Sequence, residues 1–515
     1  MTPIRLYLIP SLAVLAMTCS FAHAGGVFIP GSGSASQPRA GAFVAKADDP
    51  VTLFENPAGL MKLKGTVFHL GFNVLKFSQE FQREGTYDAT GRNLPFEGQP
   101  YPLVRDVSRP LGLPVQLKPN IAVSTDLGLD KPFRLALGIG APNGYPNREY
   151  SPEYQIEADI NSPPPPGRYD ILNQEIEAIS LTFGAAYRPI PNLDLGATFA
   201  AGVMRAKGKN SVWSAPNYSE FEGSDATFEV DTQDNFFPSF SLGFLFRPVP
   251  EIELGGFYKS QVSFNAVGDG FNVLGSEARV FLEQLDPITE NTQCAPGGTV
   301  VRFKTCVDIK LPRQAGFGTR WIHRNKKGEE RGDIEFDVVW EQWSKASDTI
   351  YTIDARTPFI PLQEVTIRRG FKDVFSFRLG GEFGFDLPDE QILWIRAGAA
   401  YDTETAPESW TRLDIDSFPR ATLGLGVAYE VGKFRFDLGI GAVIEGSRTA
   451  GPLCNPDENN LGCGDTGLDQ DVDDRTAPDP VQPTTPAENA VESPFNAGTY
   501  SQSYLHFSTG MTVSF

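Results

Sequence analysis

Apolar and polar residues alternate with a period of two along most of the chain. In the stretch PRATLGLGVAYEV, Leu423, Leu425 and Val427 occupy alternate positions, with the small residues Gly424 and Gly426 between them. Such alternation predicts β-strands that have one apolar face. We predict fourteen of them, in the segments 65–84, 117–128, 132–142, 174–188, 192–206, 226–247, 251–266, 306–323, 331–351, 365–386, 391–402, 418–431, 433–447 and 503–515.

The links between these segments alternate between short turns and long loops. We predict the long loops at 85–116, 143–173, 207–225, 267–305, 352–364, 403–417 and 448–500. Short turns on one side and long loops on the other are typical of an outer-membrane barrel, with periplasmic turns and extracellular loops. Because lipid cannot pair with an open sheet edge, the sheet must close. The predicted fold is all-β, a 14-stranded antiparallel transmembrane β-barrel formed by residues 65–515.

The first 24 residues form a predicted signal peptide, 1–24. Arg5 precedes a short apolar stretch, which ends before an A-x-A cleavage site at Ala22–Ala24. A membrane anchor and, through Cys19, a lipoprotein are the alternatives. No later apolar run is long enough for a membrane helix. Together with the barrel, the signal peptide predicts the bacterial cell outer membrane as the location.

The segment 25–64, between the cleavage site and the first strand, is predicted to fold inside the barrel. Asp49 and Asn56 are good helix N-caps, and each precedes a proline, which is favoured at the first helical position. A segment of about 40 residues has no room beside a thin-walled barrel except in its lumen. The residues that we assign to this plug, or hatch, are Asp48, Asp49, Phe54, Asn56, Pro57 and Ala58.

Charged residues occur within the predicted strands as well as in the loops. The formal net charge of −20 makes nucleic acid a poor partner. A charge that faces lipid at mid-depth costs about 2–4 kcal/mol, so strand charges should face the lumen. Mixed signs at similar depth indicate pairing around something that fills the lumen, and an open porin is the alternative. By parity the inward charges include Arg320, Asp337, Glu341, Arg378, Glu382, Arg396, Arg435 and Asp437.

Four cysteines remain after removal of the signal peptide, and they form two local pairs in loop sequence. The compartment beyond the inner membrane is oxidising, so we predict the disulfides Cys294–Cys306 and Cys454–Cys463. Zinc is the alternative, but no histidine lies near either pair.

The sequence offers little catalytic chemistry. His69, His323 and His506 are in no metal or nucleophile motif, and no phosphate-binding loop is present. The acidic run in 448–500 has aspartates at alternate positions but lacks the glycine and glutamate of a calcium loop, so a solvated loop is favoured over calcium. We predict no enzyme, no cofactor and no metal, with an outer-membrane enzyme as the alternative.

The N-terminal motif carries a family resemblance. R-A-G at Arg39–Gly41, A-D-D at Ala47–Asp49 and N-P-A-G-L at Asn56–Leu60 follow one another, and GIGAPNGY, KLPRQAGFGTRW and WEQWSK occur later. Together these motifs resemble the FadL family of outer-membrane transporters for long-chain fatty acids and other hydrophobic compounds. The final STGMTVSF resembles the signal by which outer-membrane barrels are assembled, which implies the barrel assembly machinery as a partner of Phe515.

The resemblance implies a mechanism. A hatch plugs the barrel, substrate enters a hydrophobic groove and a deeper pocket, and it leaves sideways into outer-membrane lipid beside an inward kink of the third strand. Here that strand is 132–142, although Pro142 could simply end it. The residues that would permit the kink are Gly138, Gly140, Pro142 and Gly144.

The segment 276–286 looks helical and is expected to supply part of the substrate groove. Its apolar residues are Val280, Phe281 and Leu285. The resulting expectation is a monomer that takes up a hydrophobic ligand passively, whether fatty acid, hydrocarbon or detergent. An ungated porin is the alternative, and the sequence does not identify the substrate.

Overall fold

The computed structural model describes residues 28–87, 92–129, 131–141, 144, 147–213, 222–276, 300–347, 349–354, 364–367, 369–406, 411–415, 418–450 and 497–515. The predicted signal peptide lies outside these residues. Among the described residues, no helix combines the length and the apolar character needed to cross a membrane.

Twenty strands account for most of the described chain. They are β1 (Val67–Arg83), β2 (Val104–Arg105), β3 (Gln116–Thr125), β4 (Phe133–Gly140), β5 (Arg148–Glu149), β6 (Asn173–Ile190), β7 (Leu193–Trp213), β8 (Asp225–Val249), β9 (Ile252–Lys259), β10 (Val262–Leu274), β11 (Val300–Leu311), β12 (Gln314–Arg324), β13 (Glu330–Glu341), β14 (Thr349–Asp354), β15 (Glu364–Ile367), β16 (Val374–Asp386), β17 (Ile392–Asp402), β18 (Arg420–Val431), β19 (Phe434–Ala450) and β20 (Gly498–Ser514). Short 3₁₀-helices span Gln37–Arg39, Pro50–Phe54, Pro57–Lys62, Pro110–Gly112, Glu222–Ser224 and Trp343–Lys345.

The strands form one closed antiparallel sheet. β20 pairs with β19 and with β1, and the β1–β20 ladder runs from Val67 opposite Ser514 to Arg83 opposite Gly498. Four positions in the wall are each occupied by two successive strands: β9 with β10, β11 with β12, β13 with β14 and β15 with β16. β2 and β5 are two-residue strands near the extracellular loops. The wall is thus the predicted 14-stranded barrel.

Some predicted strands are interrupted in the structure. The interrupted ones are 251–266, 306–323, 331–351 and 365–386. Pro312 lies at one break, where it has no N–H for the ladder. At another break the Ser260 hydroxyl accepts the N–H of Phe240 at 3.0 Å, so a side chain replaces a ladder bond. Period-two alternation does not reveal such breaks because the apolar pattern resumes after them.

Several strands extend further into the extracellular side than predicted. β7 runs to Trp213, which shortens the loop predicted at 207–225. Exposed ion pairs such as Lys207–Glu175, 3.2 Å apart, link neighbouring strands there. Outside the lipid both faces of a strand can be polar, so the apolar alternation that predicts the membrane part is lost.

The barrel is apolar outside and polar inside. Leu425 on β18 and Leu438 on β19 point outward and are 61% and 58% exposed. On the same strands Arg420 and Asp437 face inward and are buried. More than half of the largest fully buried side chains are arginines. This arrangement inverts that of a water-soluble barrel and suits a surrounding of lipid.

A charge on the outer face tests this arrangement. Leu425→Arg should destabilise the folded protein by about 2–4 kcal/mol, because a lipid-facing arginine near mid-depth must leave water. Reversible denaturant unfolding in lipid vesicles measures this change. The control is Ser447→Arg, at the exposed extracellular end of β19, which should cost at most about 1 kcal/mol. Equal losses of unfolding free energy in the two variants would contradict the placement of Leu425 near the middle of the membrane.

Candidate functional site

Residues 28–66, here called the N-terminal segment, pack against the inward face of the barrel. Most of them are buried. The two predicted caps form: the Asp49 carboxylate accepts the N–H of Val51, and the Asn56 side chain accepts that of Ala58. Pro50 and Pro57 occupy the first helical positions. Proline suits this position because its missing N–H has no helical partner there.

Asn56 joins two parts of the N-terminal segment to the wall. Its Nδ2 donates to the carbonyl of Val44 at 2.7 Å and to that of Phe244 on β8 at 3.2 Å. A Cβ at Gly243 would overlap the Asn56 side chain, so the glycine permits this close approach. The N-P-A motif therefore lies where the segment contacts the wall of β7 and β8.

Two carboxylates on β13 bind successive backbone N–H groups of the N-terminal segment. Asp337 Oδ2 accepts those of Phe43 and Val44, at 2.9 and 3.0 Å. Glu335 accepts those of Ala45 and Lys46, at 2.6 and 3.0 Å. All of these groups are buried, where a backbone N–H left without a partner costs about 1–3 kcal/mol. We call Glu335 and Asp337 the carboxylate pair.

A network of buried ion pairs surrounds the carboxylate pair. Arg39 of the N-terminal segment contacts Asp333 at 2.6 Å and Glu335 at 3.2 Å. Lys46 contacts Glu382 at 2.7 Å, and Glu382 also contacts Arg396 at 2.8 Å. Removing one partner of a buried pair typically costs about 3–5 kcal/mol, because the other charge is left uncompensated. The network thus opposes any departure of the segment.

The remaining predicted lumen charges lie on the same side of the wall. Arg320 contacts Glu253 and Asp333, at 2.8 and 2.9 Å. Arg378 donates to the carbonyl of Gly41 at 3.3 Å. Arg435 contacts Asp437 at 3.2 Å.

Three acidic side chains here have the spacing of metal ligands. They are Asp48, Glu330 and Glu382. The Lys46 ammonium lies 2.7 Å from Asp48 and from Glu382, and 3.5 Å from Glu330. A protein cation already occupies the centre of the group, so we assign no metal to it.

A cavity of about 310 Å³, here the first cavity, lies on the extracellular side of the N-terminal segment. Its lining is mostly apolar and includes Ile176, Ala206, Val230, Phe264, Val307 and Phe371. The ionisable residues of the lining are Arg148, Lys118, Lys207, Lys310, Glu177 and the ion pair Arg369–Asp414, 2.6 Å long.

The Asp414 carboxyl stays ionised in this lining. Burial opposes its charge, but the guanidinium groups of Arg369 and Arg412 outweigh burial and hold the pKa of Asp414 at about 2.

A second cavity of about 230 Å³ lies against the N-terminal segment itself. Its lining includes Phe54, Glu55, Thr198, Ser241, Lys259 and Arg378, so it is more polar than the first. Phe28, Lys118 and Leu311 line both cavities. A molecule in the first cavity therefore has the N-terminal segment and a polar chamber beneath it.

Within the described chain, the wall is incomplete beside the first cavity. β4 ends at Gly140, opposite Asn120 of β3 and Ser180 of β6, although both neighbours continue outward. Gly144 then forms a bridge with Phe28 of the N-terminal segment. Among the described residues, 175–179 of β6 have no strand partner on this side. We call this gap the wall opening.

The glycines predicted to permit a kink have different surroundings. Gly138 and Gly140 face inward, where a Cβ would crowd the side chain of Phe54, and at Gly138 that of Leu53 as well. Pro142 lies outside the described residues. The glycines thus make room for the N-terminal segment just below the wall opening.

Other predicted residues are described only in part. Val280, Phe281 and Leu285 lie outside the described residues, as do Cys294, Cys454 and Cys463. Cys306 lies on β11 and is exposed, and its predicted partner is outside the described residues. Both disulfides and the groove helix stay predictions.

Several residues of the buried ion-pair network were not predicted from the sequence. Arg39 and Lys46 precede the first strand, so no strand parity applied to them. Asp333 and Glu335 share the parity of Asp337, and that alternation was the available signal. Their partners lie almost 300 positions away in the chain, which only the folded barrel brings together.

Comparisons with known proteins agree with this architecture. Residues 15–449 match the family model described as outer membrane protein transport protein (OMPP1/FadL/TodX). A putative outer membrane protein of Neisseria meningitidis serogroup B is 23% identical over 456 residues, covering 84% of this chain and 88% of that protein.

Solved structures show the same fold. A Pseudomonas aeruginosa FadL homologue aligns with a TM-score of 0.68 at 17% identity, covering 95% of this chain and 100% of that one. The Pseudomonas putida toluene transporter TodX aligns with a TM-score of 0.60 at 12% identity, covering 95% and 100%. The Ralstonia pickettii toluene transporter TbuX gives 0.56 at 13%, covering 94% and 98%.

Glu335→Gln tests the carboxylate pair. Both oxygens of Glu335 accept backbone N–H groups, and the amide replaces one of these acceptors with a donor. A buried donor left without a partner costs about 1–3 kcal/mol, so we expect the amide hydrogens of Ala45 and Lys46 to exchange with solvent about tenfold faster, as measured by hydrogen–deuterium exchange. The control Glu430→Gln alters a carboxylate that pairs with Arg435 at 3.4 Å and should leave this exchange unchanged. Unaltered exchange in Glu335→Gln would contradict the role of the pair.

Proposed function

The chain belongs to the outer membrane protein transport family OMPP1/FadL/TodX, and from this premise we propose that it takes up long-chain fatty acids or other hydrophobic small molecules passively. The ligand binds in the first cavity and leaves through the wall opening into the membrane. One observation carries the proposal: an apolar cavity adjoins a gap in the wall while the N-terminal segment closes the route beneath it.

The N-terminal segment acts as a hatch in this proposal. The axial route requires breaking the buried ion pairs of Arg39 and Lys46 and the hydrogen bonds of the carboxylate pair. A lateral route requires none of these. An apolar ligand that moves from the cavity into lipid also avoids exposure to water, which costs about 25 cal/mol per Å² of apolar surface.

The lining of the first cavity supports a hydrophobic ligand with or without an acidic end. Its aliphatic and aromatic walls suit an acyl chain or a ring. Arg148 stacks on the Phe77 ring at 3.6 Å and supplies positive charge for a carboxylate, to which the Lys118 amine can add a hydrogen bond. TodX and TbuX are toluene transporters, so an aromatic hydrocarbon belongs beside a fatty acid among the ligands to test.

Ala206→Phe tests binding in the first cavity. Ala206 is buried in the cavity lining, and a phenyl group there occupies the space of the ligand. We expect the initial rate of uptake of radiolabelled oleate and toluene into proteoliposomes to fall about tenfold, since about 1.4 kcal/mol of lost binding is one factor of ten. The control is Ala397→Phe, which adds the same group to the exposed outer face.

The result of that pair of variants separates two explanations. Loss of uptake in Ala206→Phe with normal uptake in Ala397→Phe supports the cavity. Equal uptake in both would show that the ligand does not pass through it.

Asn56→Asp tests the hatch. The carboxylate cannot donate to the carbonyls of Val44 and Phe244, and it faces them with negative charge. We expect altered uptake and raised single-channel conductance in planar bilayers, while the barrel still shows heat-modifiable mobility in electrophoresis. Asp48→Asn at a half-buried carboxylate is the milder comparison. Steady, large conductance of the unmodified protein would favour a porin instead.

A further inference from the structure

The first extracellular loop contains a leucine in an unfavourable backbone conformation. Leu111, in the short helix Pro110–Gly112, has φ 55° and ψ 25°, in the left-handed region. Residues with a Cβ are disfavoured there by about 1–2 kcal/mol relative to the right-handed helix. Glycine or asparagine adopts this conformation more readily. A glycine or asparagine at position 111 would therefore lower the backbone free energy of this turn.

Burial does not offset this cost. The Leu111 side chain is 77% exposed, the largest exposure among the exposed large apolar side chains of the described residues. Strained residues persist where the surrounding structure or the function requires them, and they cluster at ligand sites. Since Leu111 contributes little to the core, packing does not explain a leucine at this position.

The position of Leu111 offers a reason. It lines the first cavity together with Leu117 and Pro119 of β3 and Ile179 of β6, which border the wall opening. Leu117 and Ile179 are each 42% exposed. Leu111 thus adds an apolar side chain from a loop to the wall opening, which is otherwise bordered by strands.

We propose that Leu111 contacts the ligand directly, as the outer lip of the wall opening. The apolar part of the ligand, an acyl chain or an aromatic ring, covers the leucine as it passes between the first cavity and the surrounding membrane. This inference rests on the proposed function and adds to it a residue from the first loop.

The chain contains a matched control for strain. Leu127, in the turn between β3 and β4 at the opposite end of the barrel, also has a left-handed conformation, with φ 59°, and is 56% exposed. It lines neither of the two cavities. Leu111 and Leu127 therefore share exposure and backbone strain but differ in their access to the cavity.

The experiment compares Leu111→Asn with Leu127→Asn. Asparagine relieves left-handed strain at either position, so the thermal unfolding temperature should rise in both variants. Uptake of radiolabelled oleate and toluene into proteoliposomes should fall about five- to tenfold for Leu111→Asn at low ligand concentration, with the rate at saturating ligand unchanged. Leu127→Asn should leave uptake unchanged. Leu111→Met, which keeps the strain and an apolar side chain, should retain most of the uptake.

Each result bears on a different claim. Normal uptake in Leu111→Asn, or an equal loss in Leu127→Asn, would overturn the role of Leu111 while leaving the proposed function in place. If the unmodified protein takes up neither probe, the proposed function fails, and the role of Leu111 fails with it.

Discussion

In the hydrocarbon region of a membrane, every backbone polar group must be paired within the protein. This constraint closes the sheet through the ladder between β1 and β20. Closure places the inward side chains in a space sealed from lipid, so polar and charged residues can collect there. Any chain that fills this space must in turn pair its own N–H and C=O groups, since a buried unpaired group costs about 1–3 kcal/mol. The N-terminal segment meets this demand with partners from the barrel wall.

The carboxylate pair shows how the wall supplies those partners. Glu335 and Asp337 are two positions apart on β13, so both face inward. Their oxygens accept four consecutive N–H groups from a segment that has no ladder of its own. Arg39 and Lys46 place positive charge beside these and the neighbouring acids. A single buried ion pair adds little net stability to such a network. Removing one of its partners is costly, because the other charge stays buried without compensation. It therefore fixes one position of the segment within the barrel.

The sequence predicts features that repeat along the chain and misses those that depend on distant partners. Alternation marks the membrane strands because lipid requires an apolar residue at every second position, as at Leu423 and Leu425. It also assigns the inward face of Arg320, Arg396 and Asp437. It does not predict the breaks at Ser260 and Pro312, where local bonds replace the ladder. Nor does it predict the contact of Arg39 with Asp333 or the shape of the cavities, because these arise only when the sheet closes.

The N-terminal segment and the wall opening are structurally linked. Phe54 lies against Gly138 and Gly140, the residues that end the inward face of β4. Phe28, at the start of the described segment, bridges Gly144 just after that strand. These contacts place two aromatic side chains of the segment at the edge of the gap, and the buried ion pairs of Arg39 and Lys46 hold the segment there. In the proposed mechanism the segment both closes the axial route and shapes the lateral one, so lateral passage does not require the plug to be expelled.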